Sequence, residues 1–124
     1  MPMNTTLTPE AIGAFLHTQV QAWNAGNREA FFAAYRQAAP AGLTIEYVGR
    51  APPTDGWPIL EKMWAEQSAK VEIEEVVMIV NGQDAAGHMR NKVRGTAMAI
   101  ETMELYRFDA GHLAVRYFIR LPGA

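Results

Sequence analysis

The spacing of apolar residues divides the chain into a helical front and a strand-rich back. Apolar residues recur every three or four positions over residues 8–24 and again over residues 28–37, so two amphipathic helices are predicted. Thr8 followed by Pro9 suits the start of the first helix. Gly26 suits the left-handed position that often follows a helix end.

Alternation of apolar and polar residues predicts five strands, most of them in the second half of the chain. The predicted strands cover residues 43–48, 71–80, 84–95, 97–108 and 113–121. Residues 49–56, which contain Pro52-Pro53, are predicted to form a loop, and residues 57–68 a third helix. Asn81-Gly82 and residues 109–112 carry the turn residues of hairpins.

The resulting order, α-α-β-α-β-β-β-β, predicts a single α+β domain over residues 1–124. Three helices can pack on one face of a curved, mostly antiparallel β-sheet and leave a cone with an internal pocket. The 124 residues are enough for one domain with its own core.

Composition excludes several classes of function. The chain has no Cys, so disulfides, thiol nucleophiles and thiolate metal sites are excluded. Its net charge of −2 gives no basic footprint for a nucleic acid partner. Met1 to Thr6 lacks the character of a signal peptide, and no apolar run reaches membrane-spanning length. A cytoplasmic protein with no membrane partner is expected.

One carboxylate interrupts the apolar alternation of the strand over residues 97–108. If Glu104 faces the inside of the cone, then so do Thr102 and Tyr106. An acid in an apolar cavity has a raised pKa and can act as a general acid or, when protonated, as a hydrogen-bond donor. The alternatives are an ion pair with Arg116 on the neighbouring strand or a solvated position at the mouth.

The same parity, carried to the last strand, assigns its two faces. It places Arg116, Phe118 and Arg120 inside the cone. It leaves an outer face that consists of Met103, Leu105, Val115, Tyr117 and Ile119. Such a face is too apolar to be left in water, so a homodimer that pairs through the sheet is expected.

Other side chains have both a binding and a structural interpretation. Asn91 is the polar member of an otherwise apolar strand face and is a candidate for the pocket. Tyr35 and Trp64 lie on helical apolar faces, where they serve the core, the pocket lining or both. Trp57 either covers a pocket mouth or anchors the third helix. Tyr47 either offers its hydroxyl to a carbonyl oxygen or closes the rim of the core.

Motifs for metals and cofactors are missing from the sequence. The three histidines, His17, His88 and His112, do not fall at metal-ligand spacing. The basic face of residues 88–94 pairs most simply with glutamates on neighbouring strands. No glycine-rich nucleotide motif is present, so no metal and no cofactor are expected.

Three stretches of the chain resemble a known superfamily. They are residues 22–30, residues 43–47 with the Pro52-Pro53 loop and Gly56 that follow, and residues 105–113. In these stretches the chain resembles the nuclear transport factor 2-like (NTF2-like, cystatin-like) superfamily, which includes SnoaL-like cyclases and ketosteroid isomerases. The resemblance spans roughly residues 8–120 and implies the cone-shaped α+β fold.

The resemblance also implies where catalytic residues would lie. The ketosteroid isomerases carry an Asp base where this chain has Tyr47, and a Tyr donor where it has Gln19. They carry a protonated Asp as the second donor, and this chain has Glu104 there. The SnoaL-like cyclases often carry an acid near the end of the last strand, where this chain has Arg120-Leu121. One isomerase position of three therefore keeps its chemical type.

Two hypotheses fit these observations. In the first, the cone binds a small apolar molecule and performs cofactor-independent isomerase, cyclase or lyase chemistry on a carbonyl or polycyclic compound, with Glu104 and Tyr47 as the catalytic residues. In the second, the domain binds a ligand or dimerises without catalysis. The predicted ligand contacts are Gln19, Tyr35, Trp57, Trp64, Asn91, Thr102, Arg116 and Phe118.

Overall fold

Three helices and six strands make up the fold of the computed structural model, which describes residues 7–120. The helices are α1 (Pro9–Asn24), α2 (Arg28–Ala38) and α3 (Gly56–Gln67). The strands are β1 (Gly42–Tyr47), β2 (Ala51–Asp55), β3 (Val71–Asn81), β4 (Asp84–Val93), β5 (Ala99–Asp109) and β6 (His112–Ile119). The α+β class with three helices and a mostly antiparallel sheet is confirmed.

The six strands form one mixed sheet in the order β2-β1-β6-β5-β4-β3. Only the β1–β6 pair is parallel, and the other four pairs are antiparallel. A bulge at Val76 shifts the register of β3 against β4, so Glu75 lies on the inner face and Val77 on the outer one. Bulges of this kind bend a strand and strengthen its twist, which helps the sheet to curve around the helices.

Local signals in the sequence set the ends of the helices. The Thr8 hydroxyl accepts a hydrogen bond from the Ala11 amide at 3.1 Å, and the Asn27 side chain caps α2 in the same way. Gly26 lies between the two helices with a φ of 70°, which confirms the predicted left-handed position. The core between helices and sheet is aromatic and aliphatic, with Phe31, Tyr35 and Leu60 among its fully buried side chains.

The C-terminal end of α1 is docked on the free edge of β3. The Trp23 Nε1 donates to the Val71 carbonyl at 2.9 Å. The Asn24 side chain donates to the Ile73 carbonyl at 2.9 Å and accepts from the Ile73 amide at 2.8 Å. These contacts satisfy edge groups of the sheet and hold α1 over its concave face.

The prediction of a loop over residues 49–56 was wrong in part. Residues 51–55 form β2, an exposed edge strand that pairs with β1. Proline is tolerated on an edge strand because its missing N–H would face solvent. Pro52 and Pro53 lie where the register between the two strands shifts, so no regular pair depends on their amides.

The hairpin between β5 and β6 has the two-residue loop Ala110-Gly111, and both residues have positive φ. This is the conformation of a type I′ turn, which suits strand twist. The predicted last strand reached Leu121, which lies outside the described residues. Within residues 7–120, no helix is both long and apolar enough to cross a membrane.

Candidate functional site

A cavity of about 300 Å³ lies between the concave face of the sheet and the three helices. Apolar side chains from every layer of the fold form most of its wall. The apolar lining consists of Val20, Trp23, Phe31, Met63, Val71, Ile73, Met89, Ile100 and Ile119. The polar lining consists of Gln19, Tyr35, Tyr47, Arg50, Gln67, Asn91, Thr102, Glu104, Tyr106 and Tyr117. Cavities with apolar walls and a few convergent polar groups are typical of small-molecule sites.

Glu104 lies at the centre of a hydrogen-bonded network on β5. Its side chain is almost fully buried, with 8 % of the residue exposed. The Tyr106 hydroxyl donates to Oε1 at 2.5 Å, and the Thr102 hydroxyl donates to Oε2 at 3.1 Å. Asn91, which faces β5 from β4, donates to the Thr102 Oγ1 at 3.1 Å and to the Ile100 carbonyl at 2.9 Å. The carboxyl group is therefore held by two hydroxyl groups of its own strand, and one of these is in turn held by Asn91 on β4.

Burial raises the pKa of Glu104, because a carboxylate loses its hydration inside an apolar cavity. The hydrogen bonds from Tyr106 and Thr102 oppose this shift without cancelling it. Glu104 therefore keeps its proton to a higher pH than an exposed glutamate. A neutral carboxyl group in this position carries an O–H donor as well as its acceptor sites.

Three buried tyrosines surround Glu104. Burial raises the pKa of Tyr35, Tyr106 and Tyr117, and the charge of ionised Glu104 raises it further. The Tyr35 hydroxyl donates to the Gln19 Oε1 at 3.4 Å, which links the network to α1. Because the tyrosines stay neutral, their hydroxyl groups can act as donors throughout the ordinary pH range.

Tyr47 and Arg50 lie at the open side of the cavity. The ring of Tyr47 stacks on that of Tyr117 with a centroid separation of 5.6 Å. Partial burial raises the pKa of the Tyr47 hydroxyl, and the nearby Arg50 charge opposes that shift. This end of the cavity is therefore positively charged, whereas Glu104 occupies the inner part.

Six of the ten predicted site residues line this cavity, and four do not. Those that line it are Gln19, Tyr35, Tyr47, Asn91, Thr102 and Glu104. Both alternatives for Glu104, an ion pair with Arg116 and a solvated position, are wrong. The carboxyl group is buried in the cavity, and its described partners are the hydroxyl groups of Thr102 and Tyr106.

Arg116 and Phe118 lie on the outer face, so the prediction that they face inward was wrong. β5 and β6 pair Glu104 with Tyr117, which puts the odd-numbered residues of β6 inside. The Arg116 Nε donates to the Glu46 Oε1 at 2.9 Å, and its guanidinium lies 5.2 Å from the centre of the Phe118 ring. Neither side chain reaches the cavity.

Trp57 and Trp64 pack next to the cavity without lining it. Trp64 contacts the rings of Trp23 and Phe31 from behind, with centroid separations of 5.4 and 5.1 Å. Trp57 is half-buried at the start of α3 and packs against the core, which agrees with its interpretation as an anchor for that helix.

The sequence interpretation missed four polar residues of the cavity as site residues. Tyr106 is predicted to face inward without being named as a site residue, and Tyr117 is predicted to face outward. Arg50 falls in a predicted loop, and Gln67 lies near the end of the third predicted helix. The inner position of Tyr117 can be predicted from the two-residue loop between Asp109 and His112, because the loop fixes the register of the two strands. Counting back from this loop pairs Glu104 with Tyr117. No periodic pattern could mark Arg50, since it lies in a turn.

The outer face of the sheet differs from its predicted composition. Val115, Tyr117 and Ile119 lie inside, so they do not add to an outer apolar patch. The outer apolar residues are Val77, Ile79, Met103, Leu105 and Phe118. The predicted pairing of the basic face with glutamates is confirmed, since Glu74 and Glu101 bind His88, Arg90 and Lys92.

No group of three or more His, Asp or Glu side chains within residues 7–120 could hold a metal ion. The three histidines lie apart and have separate partners. His17 contacts Glu75, His88 contacts Glu101, and His112 contacts the Thr44 hydroxyl.

The architecture and its cavity define the chain as a protein with the NTF2-like, cystatin-like fold. No protein-family model matches the sequence, and no curated protein is similar to it. Solved structures match it at low identity over more than four fifths of their own length. A candidate ketosteroid isomerase from Kribbella flavida DSM 17836 is 14% identical with a TM-score of 0.74, covering 98% of this chain and 85% of its own.

Two further structures carry the name of the fold. A cystatin-like protein of unknown function from Methylobium petroleophilum PM1 is 15% identical with a TM-score of 0.72, covering 96% of this chain and 82% of its own. An NTF2-like protein of unknown function from Burkholderia xenovorans LB400 is also 15% identical, with a TM-score of 0.71 and coverage of 92% and 89%. The expected fold is thereby confirmed, and at this identity the likeness concerns the fold alone.

Proposed function

We propose that the cone binds one small, largely apolar molecule that presents a carbonyl or phenolic oxygen to Glu104. The observation that carries this proposal is the carboxyl group of Glu104, which is buried in an apolar cavity and whose pKa is raised by that burial. A buried carboxyl group without a charged partner is costly, and it becomes useful when its neutral form donates a hydrogen bond.

The hydrogen bonds around Glu104 leave its own proton free for a ligand. Tyr106 and Thr102 both donate to the carboxyl oxygens, so neither of these bonds uses the acid proton. A ligand oxygen in the cavity can accept a hydrogen bond from that proton. The apolar walls would enclose the rest of the molecule, and a cavity of about 300 Å³ is at the small end of ligand sites.

Binding of 2-naphthol tests the proposal, because this compound combines a compact apolar body with one oxygen. Its affinity is measured by fluorescence titration of the wild type and of Glu104→Met, which keeps the side-chain length and removes the donor. We expect the variant to bind about tenfold more weakly, the magnitude of one good hydrogen bond. Glu104→Gln, which keeps an N–H donor, should fall between the two.

Glu101→Met is the matched control, since Glu101 lies on the outer face of the same strand and contacts His88. This variant should bind 2-naphthol as the wild type does. Circular dichroism establishes that each variant is folded. The proposal fails if the wild type shows no saturable binding, or if Glu104→Met binds as tightly as the wild type.

Acid–base catalysis is the second candidate function, and the tyrosine-surrounded, hydrogen-bonded Glu104 favours it. The structural neighbour from Kribbella flavida, a candidate ketosteroid isomerase, also supports acid–base catalysis as a candidate function. A neutral Glu104 would hydrogen-bond the oxygen of a ketone while water removes the α-proton, and return of a proton from solvent would complete the exchange. No second carboxylate lines the cavity among residues 7–120.

Exchange of the α-protons of 2-tetralone in deuterium oxide, followed by NMR, tests this second candidate. We expect exchange faster than in buffer, loss of this enhancement in Glu104→Met, and a fall of the enhancement as the pH rises through the raised pKa of Glu104. Exchange at the buffer rate would leave binding without catalysis as the function. An enhancement over buffer that increases with pH would instead assign Glu104 the role of base.

A further inference from the structure

Arg50 is a charged side chain at the mouth of an otherwise largely apolar cavity. It follows β1 in a tight turn, where its amide donates to the Tyr47 carbonyl at 2.9 Å and Gly49 has a φ of 78°. A side chain at Gly49 would be strained in that conformation, so the glycine helps to define the turn that presents Arg50. The residue is exposed and lines the cavity.

The guanidinium of Arg50 differs from most others in the protein because no described carboxylate holds it. Within residues 7–120, no Asp or Glu oxygen lies within 4.0 Å of Arg50. By contrast, four other arginines each contact a carboxylate. These are Arg28, Arg90, Arg107 and Arg116. Arg50 is therefore available to an anion that enters the cavity.

The charge at the mouth of the cavity is opposite in sign to the net charge of the chain. Besides the tyrosines, whose raised pKa values keep them neutral, Arg50 and Glu104 are the two ionisable residues in the lining, and burial keeps Glu104 neutral over a wider pH range. With Glu104 neutral, the lining carries a net charge of about +1 from Arg50. The whole chain has a net charge of −2. A positive mouth on a negative protein selects for anions locally.

We infer that the ligand is a carboxylate with an apolar body, and that Arg50 determines this specificity. The carboxylate would bind the Arg50 guanidinium at the mouth, while the far end of the molecule places its oxygen against Glu104. A planar guanidinium matches a carboxylate through two parallel hydrogen bonds. The exposed amide of Gln67 lines the same cavity and can add a donor. This inference rests on the proposed binding function.

Three probes of equal ring size test the inference. They are 2-naphthol, 6-hydroxy-2-naphthoate and 6-(aminomethyl)-2-naphthol, which are respectively neutral, anionic and cationic. For the wild type we expect the anion to bind about tenfold tighter than 2-naphthol and the cation more weakly than 2-naphthol. Arg50→Gln should bring the anion-to-neutral affinity ratio close to one, and Arg50→Lys should retain part of the preference.

Arg36→Gln is the matched control for net charge. Arg36 is exposed on α2 and does not line the cavity, so its loss changes the total charge equally without changing the mouth. The anion preference should persist in this variant. The inference is overturned if the anion does not bind the wild type or binds no tighter than 2-naphthol, or if Arg50→Gln keeps the wild-type ratio.

The two proposals fail in different ways. The affinity of neutral 2-naphthol reports on Glu104 and the apolar walls, whereas the anion-to-neutral ratio reports on Arg50. If Glu104→Met leaves the affinity for 2-naphthol unchanged while the ratio still depends on Arg50, the role of Glu104 is wrong and the anion specificity stands. If 2-naphthol binding depends on Glu104 but the ratio is insensitive to Arg50, only the specificity inference is wrong.

Discussion

Replacement of Glu104 by glutamine should change the pH dependence of stability in a direction set by the burial of the carboxyl group. The pKa of Glu104 is raised above its ordinary value of 4.5 in the folded protein. The folded state therefore keeps this proton at a pH where the unfolded chain has lost it. The stability contributed by the proton is complete below pH 4.5 and is lost as the pH rises through the folded-state pKa. Glutamine cannot ionise and shows no such loss.

The magnitude follows from proton linkage. Between the two pKa values, the folded wild type binds one proton more than the unfolded chain, so its free energy of unfolding falls by about 1.4 kcal/mol per pH unit. The free energy of unfolding of Glu104→Gln minus that of the wild type should therefore be constant below about pH 4. It should rise between the two pKa values by up to about 1.4 kcal/mol per pH unit, and it should level off above the folded-state pKa. The pH at which it levels off measures that pKa.

Urea denaturation followed by tryptophan fluorescence, repeated from about pH 2.5 to about pH 9, gives both free energies of unfolding. Subtraction removes the titration of every group that the two proteins share. Any change in the hydrogen bonds from Tyr106 and Thr102 adds a constant to the difference without changing its slope. A difference that stays constant with pH, or that falls, would refute the argument that Glu104 is neutral because of its burial.

Glu101 provides a control of opposite sign on the same strand. Its hydrogen bond with His88 lowers its pKa, so its contribution to stability is present above the ordinary pKa and is lost as the pH falls. Relative to the wild type, Glu101→Gln should therefore become less stable as the pH rises, and this change should occur in the acid range.

Four further variants test the packing of the fold and its outer face. Gly56→Ala should destabilise the protein by about 1–3 kcal/mol in urea denaturation, because its Cβ would lie 2.5 Å from the Leu43 Cγ; Gly13→Ala, where nothing lies within 4 Å, should instead stabilise helix α1. Asn24→Ala should cost about 1–3 kcal/mol by the same measurement, since it removes both hydrogen bonds to the β3 edge, and an unchanged free energy would contradict that docking role. We expect wild-type homodimers that pair through the outer sheet face, where Ile79 is 62 % exposed, and Ile79→Lys should give monomers in light scattering; a monomeric wild type at micromolar concentration would rule this out.

The helices and hairpins were predictable because their signals are local. Thr8, Gly26 and the turn residues at the ends of strands act within a few positions of the chain, and Thr8 and Gly26 have the predicted roles. The turn predicted at Asn81-Gly82 lies one residue later, at Gly82-Gln83, because Asn81 still pairs with Asp84. Glu104 was recognisable for a related reason. Residues two positions apart on a strand lie on the same face, so an isolated acid in an apolar alternation faces the core when those residues do. Thr102 and Tyr106 share the face of Glu104.

The features that sequence reasoning missed depend on relations between distant segments. The inner position of Tyr117 depends on the register of β6 against β5, and an error of one residue exchanges the two faces of a strand. Strand β2 exists because β1 offers it an edge, although its own prolines disfavour a strand. The place of Arg50 at the cavity mouth depends on how the turn after β1 meets the helices, which no spacing along the chain encodes.

The position of Glu104 supports a ligand more strongly than it supports a structural role. Glu104 is paired with Tyr117 in the middle of the sheet, where an apolar residue would bury the same area without removing a carboxyl group from water. Glutamine would satisfy the Tyr106 hydroxyl without titrating. If an apolar residue, glutamine and glutamate are compared at this position, only glutamate supplies an acidic proton for a hydrogen bond to an oxygen inside the cavity. The ligand that we propose would account for the cost of burying this group.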